Sequence, residues 1–177
     1  MIEILVIGFG TFGIMVFSWF LSIKHKRYHG IYRFFSFESI FLLTLWNYRY
    51  WFENPLSWNQ LLSWFLLSIS LLLAVIGFIQ LVKLGRPTSR NFENTSRLVT
   101  TGIFKYLRHP LYAALLYLGT GIFLKNPAEA KTIVLAAVNL VFIILTSLEE
   151  EKEMIAKFGN EYRAYMKISK MFVPFIA

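Results

Sequence analysis

Long apolar runs separated by short polar blocks are the dominant pattern of this chain. The first, Ile4–Ile23, carries no charge for 20 residues. At about 1.5 Å per helical residue it reaches across a hydrocarbon core of roughly 30 Å. A second run, Phe34–Phe52, is interrupted by Glu38 and Arg49, whereas Pro55–Val82 is wholly uncharged. Pro110–Leu124 is short, and Thr132–Leu148 suffices if its ends enter the headgroups. Beyond it, Met154, Ile155, Phe158, Tyr162, Tyr165 and Met166 fall on one helical stripe, interrupted near Gly159. The pattern predicts an all-α integral membrane fold: about five transmembrane helices, then a C-terminal amphipathic helix lying at the interface or closing as a lid.

Charge placement orients these helices. With the N-terminus outside, 15 of the 18 lysines and arginines fall on the inner side, leaving Arg49, Lys125 and Lys131 outside. Cytosolic loops carry such an excess, so an N-out, C-in topology is expected, in a prokaryotic cell membrane or an endomembrane. The start, Met1-Ile2-Glu3, lacks the positive segment of a cleaved signal, and the first run is read as a mature helix. Composition agrees. Mean hydropathy is +0.55, with 56% hydrophobic and 16% charged residues, too little polar surface to cover a soluble domain. The net charge of +8 is explained by blocks flanking the spans, so no nucleic-acid partner is expected. Without any cysteine, disulfides, thiolate metal sites and a cysteine nucleophile are excluded.

Topology also brings chemistry together. The fourth span starts after Arg108-His109 and the fifth ends before Glu149-Glu150-Glu151. One helical hairpin therefore places both groups at the same membrane level. Pro110 suits the first turn of a helix, where its missing N–H costs nothing. Read from the residues alone, this is either a solvated helix end with Arg108 as a structural partner, or a polar chamber for a charged ligand.

Other motifs have plainer readings. Gly8-Phe9-Gly10-Thr11-Phe12-Gly13 matches a dinucleotide fingerprint, but an all-apolar segment follows and no βα alternation appears. It is read as a membrane helix with small packing residues. His25 and His29 lie four apart among Lys24, Lys26 and Arg27 with no carboxylate beside them in sequence. A basic headgroup anchor fits better than a metal site, and no metal is expected. Asn94-Thr95-Ser96 is a glycosylation sequon on the expected cytosolic side. Glu38 is either functional at membrane depth or an interfacial residue paired with Arg33. The last residues, Phe172-Val173-Pro174-Phe175-Ile176, could rest on the bilayer or cover the pocket.

LVTTGIFKYLRHPLY at Leu98–Tyr112 and EEEKEMIAKFGNEYRAY at Glu149–Tyr165 together resemble the isoprenylcysteine carboxyl methyltransferase family, a group that includes the integral membrane phospholipid N-methyltransferases. The resemblance covers about Leu84 to Pro174. It divides the chain into N-terminal transmembrane helices at 1–83, with three spans, and a methyltransferase core at 84–177. It implies S-adenosyl-L-methionine as cofactor and methyl transfer to a lipophilic acceptor from the bilayer at the cytosolic face. The first expectation is carboxyl O-methylation of a prenylcysteine-like acid, with phospholipid N-methylation as the alternative. By motif, Leu98, Val99 and Gly102 would line the adenosine side, and His109 and Tyr112 the methionine end. Glu150 and Glu151 would bind the cofactor's ammonium or serve the acceptor, which Arg108 would orient. Ser96 stands where many members have histidine, and Phe104 where tyrosine is common. NADPH-dependent sterol reductases share an R-H-P-x-Y signature, but their Asn and Glu are absent from Arg108-His109-Pro110-Leu111-Tyr112-Ala113-Ala114. A non-catalytic scaffold is the remaining class.

Overall fold

A computed structural model of the chain describes residues 2–25, 27–87 and 94–174. Lys26, Arg90, Phe175 and Ile176, used in the sequence reading, lie outside the described residues. Among the described residues the protein is helical and forms no named strand. Its elements are α1 (Ile2–Leu21), α2 (His29–Asn47), α3 (Trp58–Gly85), α4 (Pro110–Phe123), α5 (Ala130–Phe158) and α6 (Asn160–Ile168), with short 3-10 turns at Ile23–His25, Tyr48–Tyr50 and Gly102–Lys105. Three helices are long and apolar enough to cross a membrane: those at Glu3–His25, Trp58–Gly85 and Ala130–Phe158. Pro110–Phe123 is apolar but shorter.

The interior is more polar than the outside. Ile4, Phe9, Phe65 and Leu71 are exposed, while Ser18, Ser36, Ser63, Ser70, Asn139 and Ser147 are buried. Helices in lipid gain little by burying apolar surface against one another, so small residues and hydrogen bonds join them instead. Ser63 Oγ donates to the Gly121 carbonyl at 2.6 Å and Ser70 Oγ to that of Ala114 at 2.7 Å, fastening α3 to α4. Asn139 Nδ2 of α5 donates to the Ser36 carbonyl of α2 at 3.3 Å. A β-carbon on Gly119 would fall 2.4 Å from Asn139 Oδ1, so the close approach of α4 to α5 depends on that glycine. Helices α3 and α4 pack together, as do α2 and α5, and α1 leans on α2.

Two boundaries depart from the sequence expectation. The second helix starts at His29, not Phe34, and ends at Asn47. Its polar first turn is buried, with His29 and Arg33 both inside the fold. The fifth helix continues ten residues beyond Leu148, because Glu149–Lys157 is rich in good helix formers. It stops at Gly159, whose φ of +57° is costly for other residues. The three glutamates therefore lie within a continuous helix, not at its end.

The histidine reading also needs correction. His25 is exposed and sits in a 3-10 turn, so it does not share a helix face with His29. His29 is no headgroup anchor. It is fully buried, with Nδ1 3.0 Å from Glu153 Oε1, and Arg27 Nε donates to the same carboxylate at 3.2 Å. Glu38 accepts from Thr11 Oγ1 of α1 at 2.7 Å, and Arg33 donates to Ser22 instead.

At the opposite end of the bundle, Lys125 is only 3% exposed. Its ammonium lies 3.7 Å from the Trp64 ring centroid and donates to Gln60 Oε1 at 2.9 Å. Desolvation lowers its pKa, and the aromatic ring and amide replace part of the lost hydration.

Candidate functional site

The loop entering α4 is built by pairing with the C-terminal tail. Arg108 N donates to the Lys170 carbonyl at 2.6 Å, His109 N to that of Met171 at 3.3 Å, and Lys170 N back to that of Tyr106 at 3.0 Å. Phe172 is buried in a core with Leu107 and Tyr112. Its carbonyl accepts from Tyr117 Oη at 3.2 Å. The described part of the tail thus braces the loop that carries Arg108 and His109.

Pro110 opens α4 at its first position, as expected, and aims Arg108 and His109 towards α5. Arg108 Nε donates to Glu151 Oε1 at 2.8 Å. Its Nη1 donates to the carbonyls of Ser169 and, at 3.3 Å, Met166. Both Arg108 and Glu151 are largely shielded from solvent, which strengthens a charge-assisted bond. His109 Nδ1 lies 3.7 Å from Glu150 Oε2, and Nε2 lies 3.4 Å from Glu151 Oε1. The latter contact is too poorly formed for a hydrogen bond, and Nε2 stays buried without a hydrogen-bond partner among the described residues. A buried polar atom left in that state is a mark of a binding site. The ring itself is held near Tyr112, at 5.6 Å between centroids, and Phe172, at 6.4 Å.

These groups border a cavity of about 520 Å³. Leu98, Val99, Arg108, His109, Tyr112 and Glu150 all line it. Gly102 and Glu151 do not. Gly102, with φ of +62°, turns the chain against Gln80, whose Oε1 accepts from Ile103 N at 2.9 Å. Glu151 faces Arg108. Away from this polar end the walls are apolar, supplied by Ala74 and Phe78 of α3 and by Leu115 and Leu118 of α4. From Pro110 to Leu118 the cavity follows α4 for about 12 Å.

Tyrosines close the base of the site. Tyr165 Oη donates to the Phe104 carbonyl at 2.5 Å, and burial pushes its pKa up to about 12. Tyr162 lines the cavity, and its pKa is raised further by burial and then by the charges of Glu151 and Glu150. Both phenols stay protonated at neutral pH and can only act there as neutral hydrogen-bonding groups.

Sequence reasoning missed the walls from the N-terminal helices, namely Phe17 and Leu21 of α1 and Arg33 and Phe37 of α2. An apolar residue facing a cavity reads the same as one facing lipid. Arg33 alone carried a signal, as the cation immediately before the second apolar run.

Comparisons with known proteins point the same way. The chain is similar to a methanethiol S-methyltransferase of Crocosphaera subtropica, 31% identical over 78 residues, or 44% of this chain and 29% of that protein. It is similar to the protein-S-isoprenylcysteine O-methyltransferase of Mus musculus, 36% identical over 86 residues, or 48% of this chain and 30% of that protein. A probable protein-S-isoprenylcysteine O-methyltransferase of Oryza sativa subsp. japonica is 28% identical over 123 residues, or 64% of this chain and 63% of that protein. The chain thus spans under a third of the first two relatives and under two thirds of the third. No solved structure matches it. The family model described as phospholipid methyltransferase matches residues 58–161, from the start of α3 into α6, and contains Leu98, Val99, Arg108, His109, Tyr112 and Glu150. On that match, over more than half its length, the chain belongs to the phospholipid methyltransferase family.

Proposed function

We propose that the chain is an S-adenosylmethionine-dependent methyltransferase acting on a lipophilic acceptor at the cytosolic face of a membrane. The observation that carries this reading is a single cavity with Arg108, His109 and Glu150 at one end and apolar helix walls along the rest. Its volume is ordinary for a small-molecule site. The donor set also fits the cofactor. Glu150 can accept from an ammonium, His109 Nε2, which makes no hydrogen bond among the described residues, can serve a carboxylate, and Tyr112, Phe104 and Tyr162 offer aromatic surface to a purine or a sulfonium. Leu98 and Val99 form the apolar wall beside them.

When bound, S-adenosylmethionine supplies a methyl group on a positively charged sulfur, whose bond to carbon breaks as the acceptor's bond forms. The protein's part is to align and to exclude water. Helix α4 and the tail hold His109 from both sides, and Arg108 fixes Glu151 so that Glu150, its neighbour on α5, faces the cavity. A carboxylate acceptor needs no proton removed. The finer reading is therefore carboxyl O-methylation of a prenylcysteine-like acid. An amine acceptor is favoured by one feature, the cavity-facing Glu150 carboxylate, which could take its proton. Chemistry separates the two, because methyl esters release methanol in alkali and N-methyl groups do not. Incubation with methyl-labelled cofactor and host lipid extract, followed by alkali, is expected to liberate volatile label. Base-stable label in the lipid phase overturns the ester reading.

The same proposal sets five helices in the bilayer, α2 and α4 included, with the N-terminus outside and α6 at the cytosolic interface. The charge asymmetry supports it. In a chain without cysteine, single cysteines at Asn126 and Lys105 are expected to react oppositely with an impermeant maleimide in intact cells: Asn126 labelled, Lys105 protected. Equal labelling overturns the topology. Arg90, expected on the same side as Lys105, serves as a second inner position.

A further inference from the structure

Among the described residues, Arg33 is the one cavity-lining charge supplied by the N-terminal hairpin, outside the stretch that matches the family. It is 4% exposed. Its Nη2 donates to Ser22 Oγ at 2.7 Å, and its guanidinium lies 5.7 Å from the Phe37 ring centroid. Around it the wall is apolar, formed by Phe17, Leu21 and Phe37.

The charges of the cavity say what it suits. Among the described residues three guanidinium groups line it, those of Arg33, Arg97 and Arg108, against one carboxylate, that of Glu150. Arg108 has its Nε and Nη1 committed to Glu151 and the tail carbonyls. Arg97 is exposed at the rim. Arg33 is thus the buried cation that faces the apolar branch. A cofactor bearing a sulfonium adds positive charge, so the complementary acceptor brings a negative one.

We propose that Arg33, steadied by Ser22, is a specificity-determining residue that seats the anionic head of an amphiphilic acceptor. The head is a carboxylate or a phosphate. Phe37 lies one helical turn beyond Arg33, and Phe17 one turn beyond Leu21, both away from the α1–α2 turn. The acceptor's tail runs along them towards Phe78. This assignment rests on reading the cavity as a methyltransferase site, and it deepens that reading by giving the N-terminal hairpin a role in acceptor choice.

The test uses the full chain in phosphatidylcholine nanodiscs, with cis-parinaric acid and its methyl ester as fluorescent probes. The wild type is expected to bind the acid about tenfold more tightly than the ester. Arg33→Gln is expected to lose that preference, Arg33→Lys to keep part of it, and Ser22→Ala to weaken it. Binding of S-adenosylhomocysteine, measured in parallel, is expected to be unchanged in all three. Full acid preference in Arg33→Gln overturns the proposal, as does loss of preference only where the protein is no longer monodisperse. A wild type that binds the acid through Arg33 but does not bind S-adenosylhomocysteine sinks the methyltransferase reading and leaves this subsite standing. The reverse pattern sinks the subsite alone. Displacement of the probe by lysophosphatidic acid over dodecanoate assigns a phosphate head, and the opposite order a carboxylate.

Discussion

Glu150→Gln and His109→Ala are each expected to lower methyl transfer by about tenfold to a hundredfold while leaving a folded, monodisperse protein. Glu150 is the one carboxylate that lines the cavity among the described residues, and glutamine keeps its volume while removing its charge. A charge-assisted bond to a ligand ammonium is lost with it, worth about 1.5–3 kcal/mol. His109 Nε2 has no hydrogen-bond partner among the described residues. Nε2 lies 3.4 Å from Glu151 Oε1, and that carboxylate keeps its bond from Arg108 Nε when the ring is removed. The expected signature is weak cofactor binding in calorimetry and lost turnover in a folded protein, with the melting temperature unchanged in Glu150→Gln and lowered modestly in His109→Ala, whose buried ring leaves a cavity. Wild-type activity in both variants would return these residues to a purely structural role.

Arg108→Gln is expected to act on stability first. Glu151 is 6% exposed and would keep its charge without the guanidinium that offsets it. Breaking a buried pair from one side costs about 3–5 kcal/mol. The carbonyls of Ser169 and Met166 lose their donor in the same step. The tail should then become cleavable by protease between Ser169 and Phe172 and the melting temperature should fall. Arg108→Lys is expected to recover only part, because an ammonium cannot reproduce the fixed fork that reaches a carboxylate and two carbonyls together. Adding Glu151→Gln to Arg108→Gln should restore some stability by removing the stranded charge. An unaltered melting temperature with a protected tail in Arg108→Gln would show that the guanidinium is not what holds these elements.

Much of this architecture was legible in the sequence because lipid imposes it. Uninterrupted apolar runs announced α1, α3 and α5, and Pro110 marked the first residue of α4. The pairing of His109 with Glu150 followed from counting how many times the chain turns back. What the sequence hid was set by distant partners. The start of α2 looked like a headgroup anchor because Glu153, which contacts His29 Nδ1 at 3.0 Å, lies 124 residues away. The sequence assigned Lys125 only to the outer side of the membrane, and nothing near it in sequence announces its burial against the ring of Trp64. Gly102 read as part of the cofactor surface. In the fold it makes a close approach to Gln80, a contact that a residue string cannot display.

One stretch of α5, little more than a helical turn, serves as a junction for the whole molecule. Glu150 and Glu151 meet the loop entering α4, and Glu153, one turn on, meets Arg27 and His29 at the start of α2. The segment thereby couples a core that is shared with relatives to a hairpin that lies outside the family match. Modular exchange of N-terminal hairpins between members is constrained accordingly. A donor hairpin without basic residues at these two positions would leave Glu153 facing an uncharged neighbour, one turn from the cavity-facing Glu150. The N-terminal hairpin is thus tethered to a single acidic residue inside the stretch that matches the family.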